Sequence, residues 1–133
     1  RAGSVRSPLW PGGAIIHGPK PRAYQKKINR KTKRLALKMA LSGKYRDSEL
    51  ILVDRLSLDR PKTRDFAEIQ KSFQLNKPLI VVSKKDTHLD LATRNIPGVK
   101  IVTAENVNTY DILKYEHLVL TTESVEKIKE RLQ

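Results

Sequence analysis

The stretch PLIVVSKKDTHLDLATR, residues 78–94, decides the fold class of this chain. Its first five residues are apolar without a polar alternation, which predicts a β-strand buried on both faces. A helical segment over 87–94 follows, for which Asp86 or Thr87 is a suitable N-cap. A strand of this kind followed at once by a helix is typical of a parallel sheet covered by helices.

The same strand–helix unit occurs four times after Glu49. Besides PLIVV, the apolar runs are LILV at 50–53, VKIVT at 99–103 and HLVLT at 117–121. The helical segments that follow the four runs cover residues 63–75, 87–94, 109–115 and 122–132. The chain has 133 residues, a length typical of one domain. We therefore expect a single α/β domain over 24–133, with a mostly parallel four-stranded sheet flanked by helices.

The first 23 residues, RAGSVRSPLWPGGAIIHGPKPRA, have a different character. Their four prolines and four glycines exclude regular structure over most of the segment. Trp10, Ile15 and Ile16 argue against a disordered tail, because disordered segments are poor in large apolar residues. We expect an irregular, basic N-terminal extension.

The charge of the chain is concentrated in its first third. Residues 1–46 contain 13 Lys or Arg and no Asp or Glu, and the first acidic residue is Asp47. The other 87 residues carry 14 basic and 14 acidic side chains, so the first third holds the whole net charge of +13. A block of one sign points to a polyanionic partner, because each Lys or Arg placed against a phosphate releases condensed counterions.

A basic helix is predicted over about 29–42, with Asn29 as its N-cap and Gly43 as its end. The cationic side of this helix holds Lys27, Lys31, Arg34 and Lys38, with Arg30 beside them. The opposite side, which we expect to face the core, holds Ile28, Leu35, Ala36, Met39 and Ala40. Leu37 and Leu41 border the cationic side, so part of that side is expected to pack as well. Like charges without acidic neighbours repel, which favours a polyanionic partner over a solvated face.

The usual patterns of catalysis and metal binding are missing from the sequence. It contains no cysteine, no G-x-G-x-x-G follows a predicted strand, and His17, His88 and His117 occur singly. The acids at Asp86 and Asp90 are interpreted as the start of a helix. We therefore expect no enzyme activity, no cofactor, no metal and no small-molecule substrate. No apolar run is long enough to span a bilayer, so no membrane partner is expected either.

Two alternatives from other classes stay open at this point. One is a small α/β nucleotide-binding enzyme or module whose basic tail is incidental. The other is a protein that binds a membrane surface or acidic proteins through the helix at 30–42.

Two long motifs resemble a known family. RAGSVRSPLWPGG at 1–13 and HGPKPRAYQKKINRKTKRLALKMALS at 17–42 are similar to large-subunit ribosomal protein four, in its bacterial or organellar form. TRNIPGV at 93–99 and NTYDIL at 108–113 support the resemblance, which covers essentially the whole chain.

The resemblance implies a structural constituent of the large ribosomal subunit, located on ribosomes in a bacterial cytoplasm or an organelle. Such a protein binds rRNA through a basic extension and helix, contacts neighbouring ribosomal proteins and supports subunit assembly near the peptide exit tunnel. Family members carry an N-terminal strand, a helix and an outgoing arm before the point that Arg1 matches. Residues 1–23 are therefore expected to be the returning arm of an extended rRNA-binding loop, and tunnel contacts cannot be assigned to this chain.

The expected rRNA contacts form one cationic strip over residues 1–38, with two ring side chains that suit exposed bases. They are Arg1, Arg6, Trp10, His17, Lys20, Arg22, Lys26, Lys27, Arg30, Lys31, Arg34 and Lys38. For Trp10, packing on Pro11 or on another protein is an alternative of equal weight to base stacking.

Overall fold

The computed structural model describes residues 3–133 of the chain. A helix comes first and is followed by four strand–helix units, as the pattern of apolar runs predicted. The elements are α1 (Arg30–Arg46), β1 (Leu50–Val53), α2 (Thr63–Ser72), β2 (Leu79–Val82), α3 (Thr87–Thr93), β3 (Lys100–Thr103), α4 (Thr109–Lys114), β4 (Leu118–Thr121) and α5 (Thr122–Leu132). Within the described residues the segment before α1 contains neither helix nor strand.

The four strands form one parallel sheet in the order β1–β4–β2–β3. β4 therefore lies between β1 and β2, with Leu118 opposite both Leu50 and Leu79. Every residue of the two central strands is buried, whereas both edge strands are partly exposed. Strands buried on both faces need apolar residues at every position, which explains the unbroken runs in the sequence. The prediction of a four-stranded α/β sheet is confirmed, and the sheet is parallel throughout.

Helices cover both faces of the sheet, because successive side chains of a strand point to opposite faces. Leu79 and Val81 of β2 face α1, α4 and α5, and they pack with Leu37, Ile112 and Ile128. The opposite face packs against α2 and α3, and its core is Phe66, Leu75, Ile80, Val82, Leu89, Ala92 and Val119. The molecule is thus a three-layer sandwich in which α1 lies on the same side as the C-terminal helix.

The predicted end of the basic helix was wrong, because α1 continues through Gly43 to Arg46. Lys44 ties the last turn to the body: its ammonium group lies 2.5 Å from a Glu49 carboxylate oxygen and donates a 2.8 Å hydrogen bond to the Glu116 carbonyl. These tertiary contacts outweigh the low helix propensity of a single glycine. Asn29 does occupy the N-cap position, but its side chain makes no capping hydrogen bond.

The predicted core face of α1 was partly wrong. Leu37 and Ala40 are buried and Leu41 packs beside them, whereas Leu35 and Met39 are 57% and 66% exposed. Ile28, also assigned to the core, precedes the helix and is exposed, while Ala36 is half-buried. The physical reason is that Leu37 and Leu41, one turn apart, cover more of the sheet than a row containing two alanines.

Candidate nucleic-acid interface

The outer face of α1 carries an exposed group of cations. Lys31, Arg34 and Lys38 lie three and four residues apart, so they share one face of the helix, and all three are exposed. Arg30 begins the helix beside them and is exposed too. The structure therefore brings together the four predicted contact residues that lie on α1. We call Arg30, Lys31, Arg34 and Lys38 the α1 ridge.

The other predicted contacts lie in the irregular segment before α1. All of them that the structure describes are exposed: Arg6, Trp10, His17, Lys20, Arg22, Lys26 and Lys27. Arg1 lies outside the described residues. Exposed positive charge is thus found both on the irregular segment before α1 and on α1 itself.

The distribution of ion pairs distinguishes this part of the chain from the body. Among the described residues, each of the ion pairs involves a cation at position 44 or later. The pairs are Lys44–Glu49, Arg46–Asp47, Arg64–Glu68, Lys77–Glu116, Lys85–Asp90 and Lys100–Asp111. Between residues 3 and 43 no Lys or Arg pairs with an Asp or Glu side chain, because no acidic residue is close in sequence and none approaches through the fold.

Two of these early cations make contacts of other kinds than an ion pair with Asp or Glu. The Arg34 guanidinium donates a 3.2 Å hydrogen bond to the Gln133 carbonyl, which joins α1 to the end of α5. The Arg22 guanidinium lies 4.7 Å from the centre of the Tyr24 ring, a cation–π contact at the surface. Both contacts orient a positive group at the surface.

The exposed face of α1 is not purely cationic. Leu35, one turn after Lys31, and Met39, one turn further on, had been assigned to the core by the sequence but are exposed alongside these cations. Exposed aliphatic side chains next to cations suit a partner that offers both phosphates and apolar surface, such as the sugars and bases of folded RNA.

The fold adds cations that sequence reasoning missed. Arg30, Lys33 and Arg34 line a cavity of about 280 Å³ between α1 and α5, together with Arg131. The Arg131 guanidinium donates to the carbonyls of Ala104 (3.2 Å) and Val107 (2.9 Å), which fixes it beside the start of α1. Lys33 lies outside the predicted helical stripe of Lys27, Lys31, Arg34 and Lys38. No sequence signal could have placed Arg131 there, since the packing of α5 decides it.

The family follows from a direct comparison of the chain with known proteins. Residues 1–131 match the model of a family described as "Ribosomal protein L4/L1 family". This chain belongs to the ribosomal protein L4/L1 family. The resemblance seen in the motifs at 1–13 and 17–42 is therefore confirmed.

Individual relatives extend over almost the whole of this L4/L1 family chain. It is 46% identical over 132 residues to the large ribosomal subunit protein uL4 of Solidesulfovibrio magneticus. The matched residues make up 99% of this chain and 63% of that relative. Identity to uL4 of a Thermoanaerobacter species is 48% over 130 residues, 98% of the chain and 63% of the relative. With uL4 of Nitratidesulfovibrio vulgaris it is 47% over 133 residues, 100% of the chain and 65% of the relative. The chain thus spans slightly less than two thirds of the length of these relatives.

The carboxyl edge of the sheet bears on the enzyme alternative, because parallel α/β folds bind small ligands there. This L4/L1 family chain has a cavity of about 410 Å³ there, beyond the ends of β1, β2 and β4. Ser83 and Glu123 of its lining are engaged with each other and with α5: the Ser83 hydroxyl donates to Glu123 at 2.5 Å, and the Lys127 ammonium donates to the Ser83 carbonyl at 2.8 Å. Asp86 accepts a 2.9 Å hydrogen bond from the His88 backbone N–H and so caps α3, as predicted. Neither the family nor these side chains support an enzyme.

Within residues 3–133, none of the helices is both long and apolar enough to cross a bilayer.

Proposed function

We propose that this chain is a structural component of the large ribosomal subunit and binds rRNA through residues 1–38. The family and the names of its relatives support this function, since the three relatives compared with it are large ribosomal subunit proteins. The proposed location is accordingly the ribosome, and the proposed partners are rRNA and neighbouring ribosomal proteins. Residues 1–23 serve as the returning arm of an rRNA-binding loop, and the chain supports subunit assembly near the peptide exit tunnel.

One observation carries the proposal: the cations before Lys44 have no Asp or Glu partner within the described residues, whereas six such pairs occur from Lys44 onward. A surface on which positive charges go unpaired is unfavourable for a free protein, because like charges repel. Phosphates neutralise these charges and the displaced counterions gain entropy. RNA binding therefore explains a charge distribution that packing within the chain does not.

The mechanism assigns positioning to the cations and specificity to the shape of the RNA. Contacts to phosphates fix where a protein sits but do not read sequence. The irregular arm and the rigid α1 ridge require phosphates in two different arrangements at once. A folded RNA that supplies both arrangements binds better than a simple duplex, so recognition depends on tertiary shape.

The salt dependence of binding tests the proposal. If about 6 to 10 phosphates are contacted, affinity for a folded rRNA fragment falls by roughly three to five orders of magnitude between about 50 and 200 mM salt. Titration of the 133-residue chain against the fragment, followed by fluorescence anisotropy at several salt concentrations, measures this slope. Co-sedimentation with large ribosomal subunits at moderate salt checks the cellular partner. A flat salt dependence, or no co-sedimentation, would overturn the proposal.

A further inference from the structure

The first part of the N-terminal segment is folded back on itself by consecutive turns. The Ser7 N–H donates to the Ser4 carbonyl at 2.9 Å, and the Ala14 N–H donates to the Arg6 carbonyl at 3.0 Å. The Ser4 hydroxyl also accepts a 3.2 Å hydrogen bond from the Arg6 N–H. We call residues 4–14 the turn cluster. Its side chains belong to neither of the two core clusters, but it has a backbone structure of its own.

The backbone of Trp10 is held on both sides within the turn cluster. Its N–H donates to the Ser7 carbonyl at 3.1 Å, and its carbonyl accepts a 3.0 Å hydrogen bond from the Gly13 N–H. Pro8 and Pro11 fix their own φ angles, and Pro11 also restricts the residue before it, which is Trp10. The position of this residue is therefore set before a partner binds.

Gly13 makes this arrangement possible, because it lies against the backbone of Ser7. A Cβ atom at position 13 would overlap the Ser7 carbonyl oxygen, and it would lie 2.8 Å from the Ser7 carbonyl carbon and 3.1 Å from the Trp10 carbonyl oxygen. All three neighbours are backbone atoms, which cannot rotate away as a flexible side chain would. Any residue other than glycine must therefore displace the turn that holds Trp10.

The surface of the turn cluster combines a large ring with positive charge. The Trp10 side chain is 46% exposed, and Val5 and Leu9 beside it in the sequence are exposed as well. Arg6 supplies a cation within the cluster, and the nearest acidic residue in the sequence is Asp47. An acidic protein partner would use the charge alone. An RNA base uses both features, since its flat face stacks on an aromatic ring while its phosphate meets the cation.

We propose that the turn cluster is a binding site for an unpaired base of RNA, with Trp10 as the stacking residue and Gly13 as the positioning residue. The proposal rests on the proposed RNA-binding function and names a contact within it that does not depend on phosphates. The arm would then do more than neutralise charge: it would select places where the RNA leaves a base outside a helix.

Fluorescence tests the proposal directly, because Trp10 is the only tryptophan of the chain. Two RNA probes of equal length and charge are compared: a hairpin with unpaired purines in its loop, and a fully paired duplex. We expect the hairpin to quench the tryptophan emission through stacking, and the duplex to bind with a similar salt dependence but little quenching.

Four variants separate stacking from positioning. Trp10→Ala should weaken hairpin binding on the order of tenfold or more and leave duplex binding unchanged, and Trp10→Phe should restore most of the loss. Gly13→Ala should reduce both the quenching and the hairpin preference while the tryptophan is still present. Gly18→Ala is the matched control, since a Cβ there meets only the Ile15 side chain at 3.4 Å, and it should behave as the parent chain.

The outcomes distinguish this proposal from the one on which it rests. If the hairpin binds with a steep salt dependence but neither quenches the emission nor responds to Trp10→Ala, the base site is refuted and rRNA binding by the cations stands. If Gly13→Ala and Gly18→Ala behave alike, the positioning role of Gly13 is refuted. If neither probe binds in a salt-dependent way, the RNA-binding function itself fails.

Discussion

At the level of single residues, Asp111 holds the start of α4 against the sheet. The side chain is 4% exposed, and its two carboxylate oxygens accept hydrogen bonds from the Lys100 ammonium at 2.8 and 2.7 Å. The Asn108 amide donates to the same carboxylate at 2.9 Å, while the Asn108 side-chain oxygen accepts a 2.7 Å hydrogen bond from the Asp111 N–H. This network fastens the start of α4 to the edge strand β3, on the layer that also contains α1.

Replacing Asp111 with Asn should lower the free energy of unfolding by about 1–3 kcal/mol, because a buried charge-assisted contact is lost and Lys100 keeps its charge without a partner. Urea denaturation followed by circular dichroism measures the change. Asp59→Asn is the control, since Asp59 is exposed and makes no ion pair among the described residues. Equal stability of the two variants would show that the network contributes nothing to the fold.

At the level of secondary-structure elements, the α1 ridge carries a prediction about RNA binding. Lys31→Gln combined with Lys38→Gln removes two exposed cations from one face of α1. The slope of log affinity against log salt should become shallower by about one to two units, because each neutralised phosphate contributes roughly 0.7 to 0.9. Measurement at several salt concentrations with the same rRNA fragment gives the slope.

A matched control lies on the other face of the sheet. Lys62 and Lys71 are exposed at the two ends of α2 and make no ion pair among the described residues, so Lys62→Gln combined with Lys71→Gln removes the same number of charges. We expect this variant to leave the slope almost unchanged. A similar loss from both faces would mean that RNA responds to net charge and not to the α1 ridge.

The elements also show what the sequence could reveal. The run at 79–82 predicted its strand because a doubly buried strand must be apolar at every position, whereas the equally apolar run at 50–53 forms an edge strand in which Leu52 is exposed. The Asp86 cap was predictable because a cap depends on a few adjacent residues. The buried face of α1 was harder to predict. Leu35 and Leu37 are alike in character, and only the position of the sheet decides which of them is buried.

The interface was predictable to a similar extent. The block of cations before Asp47 predicted which part of the chain carries cations without an Asp or Glu partner, because charge can be counted directly from the sequence. The addition of Arg131 beside α1 was not predictable, because a contact between residues about 100 positions apart depends on how α5 packs. The close approach of Gly13 to Ser7 was not predictable either. The two residues are only six positions apart, but their distance depends on the geometry of the turns between them.

At the level of the whole molecule, the N-terminal arm and the body should be separable. Residues 3–23 contribute no side chain to either core cluster, so deleting residues 1–23 should change the free energy of unfolding by no more than about 0.5 kcal/mol. The deletion removes four cations, so the salt slope for rRNA binding should fall by up to about three units. Urea denaturation and the rRNA titration together measure both effects. A large loss of stability would mean that the arm packs on the body.

The strand order also determines when the sheet can close during synthesis. β1 and β2 are not hydrogen-bonded to each other, and the space between them is filled by β4, which is made after the other three strands of this sheet. While residues 118–121 are still inside the ribosome that makes the chain, the inner edges of β1 and β2 have no partner and their apolar side chains stay accessible. The cations before Asp47 emerge much earlier. A newborn chain can therefore meet a polyanion before its body has folded, and attachment can precede the completion of the sheet.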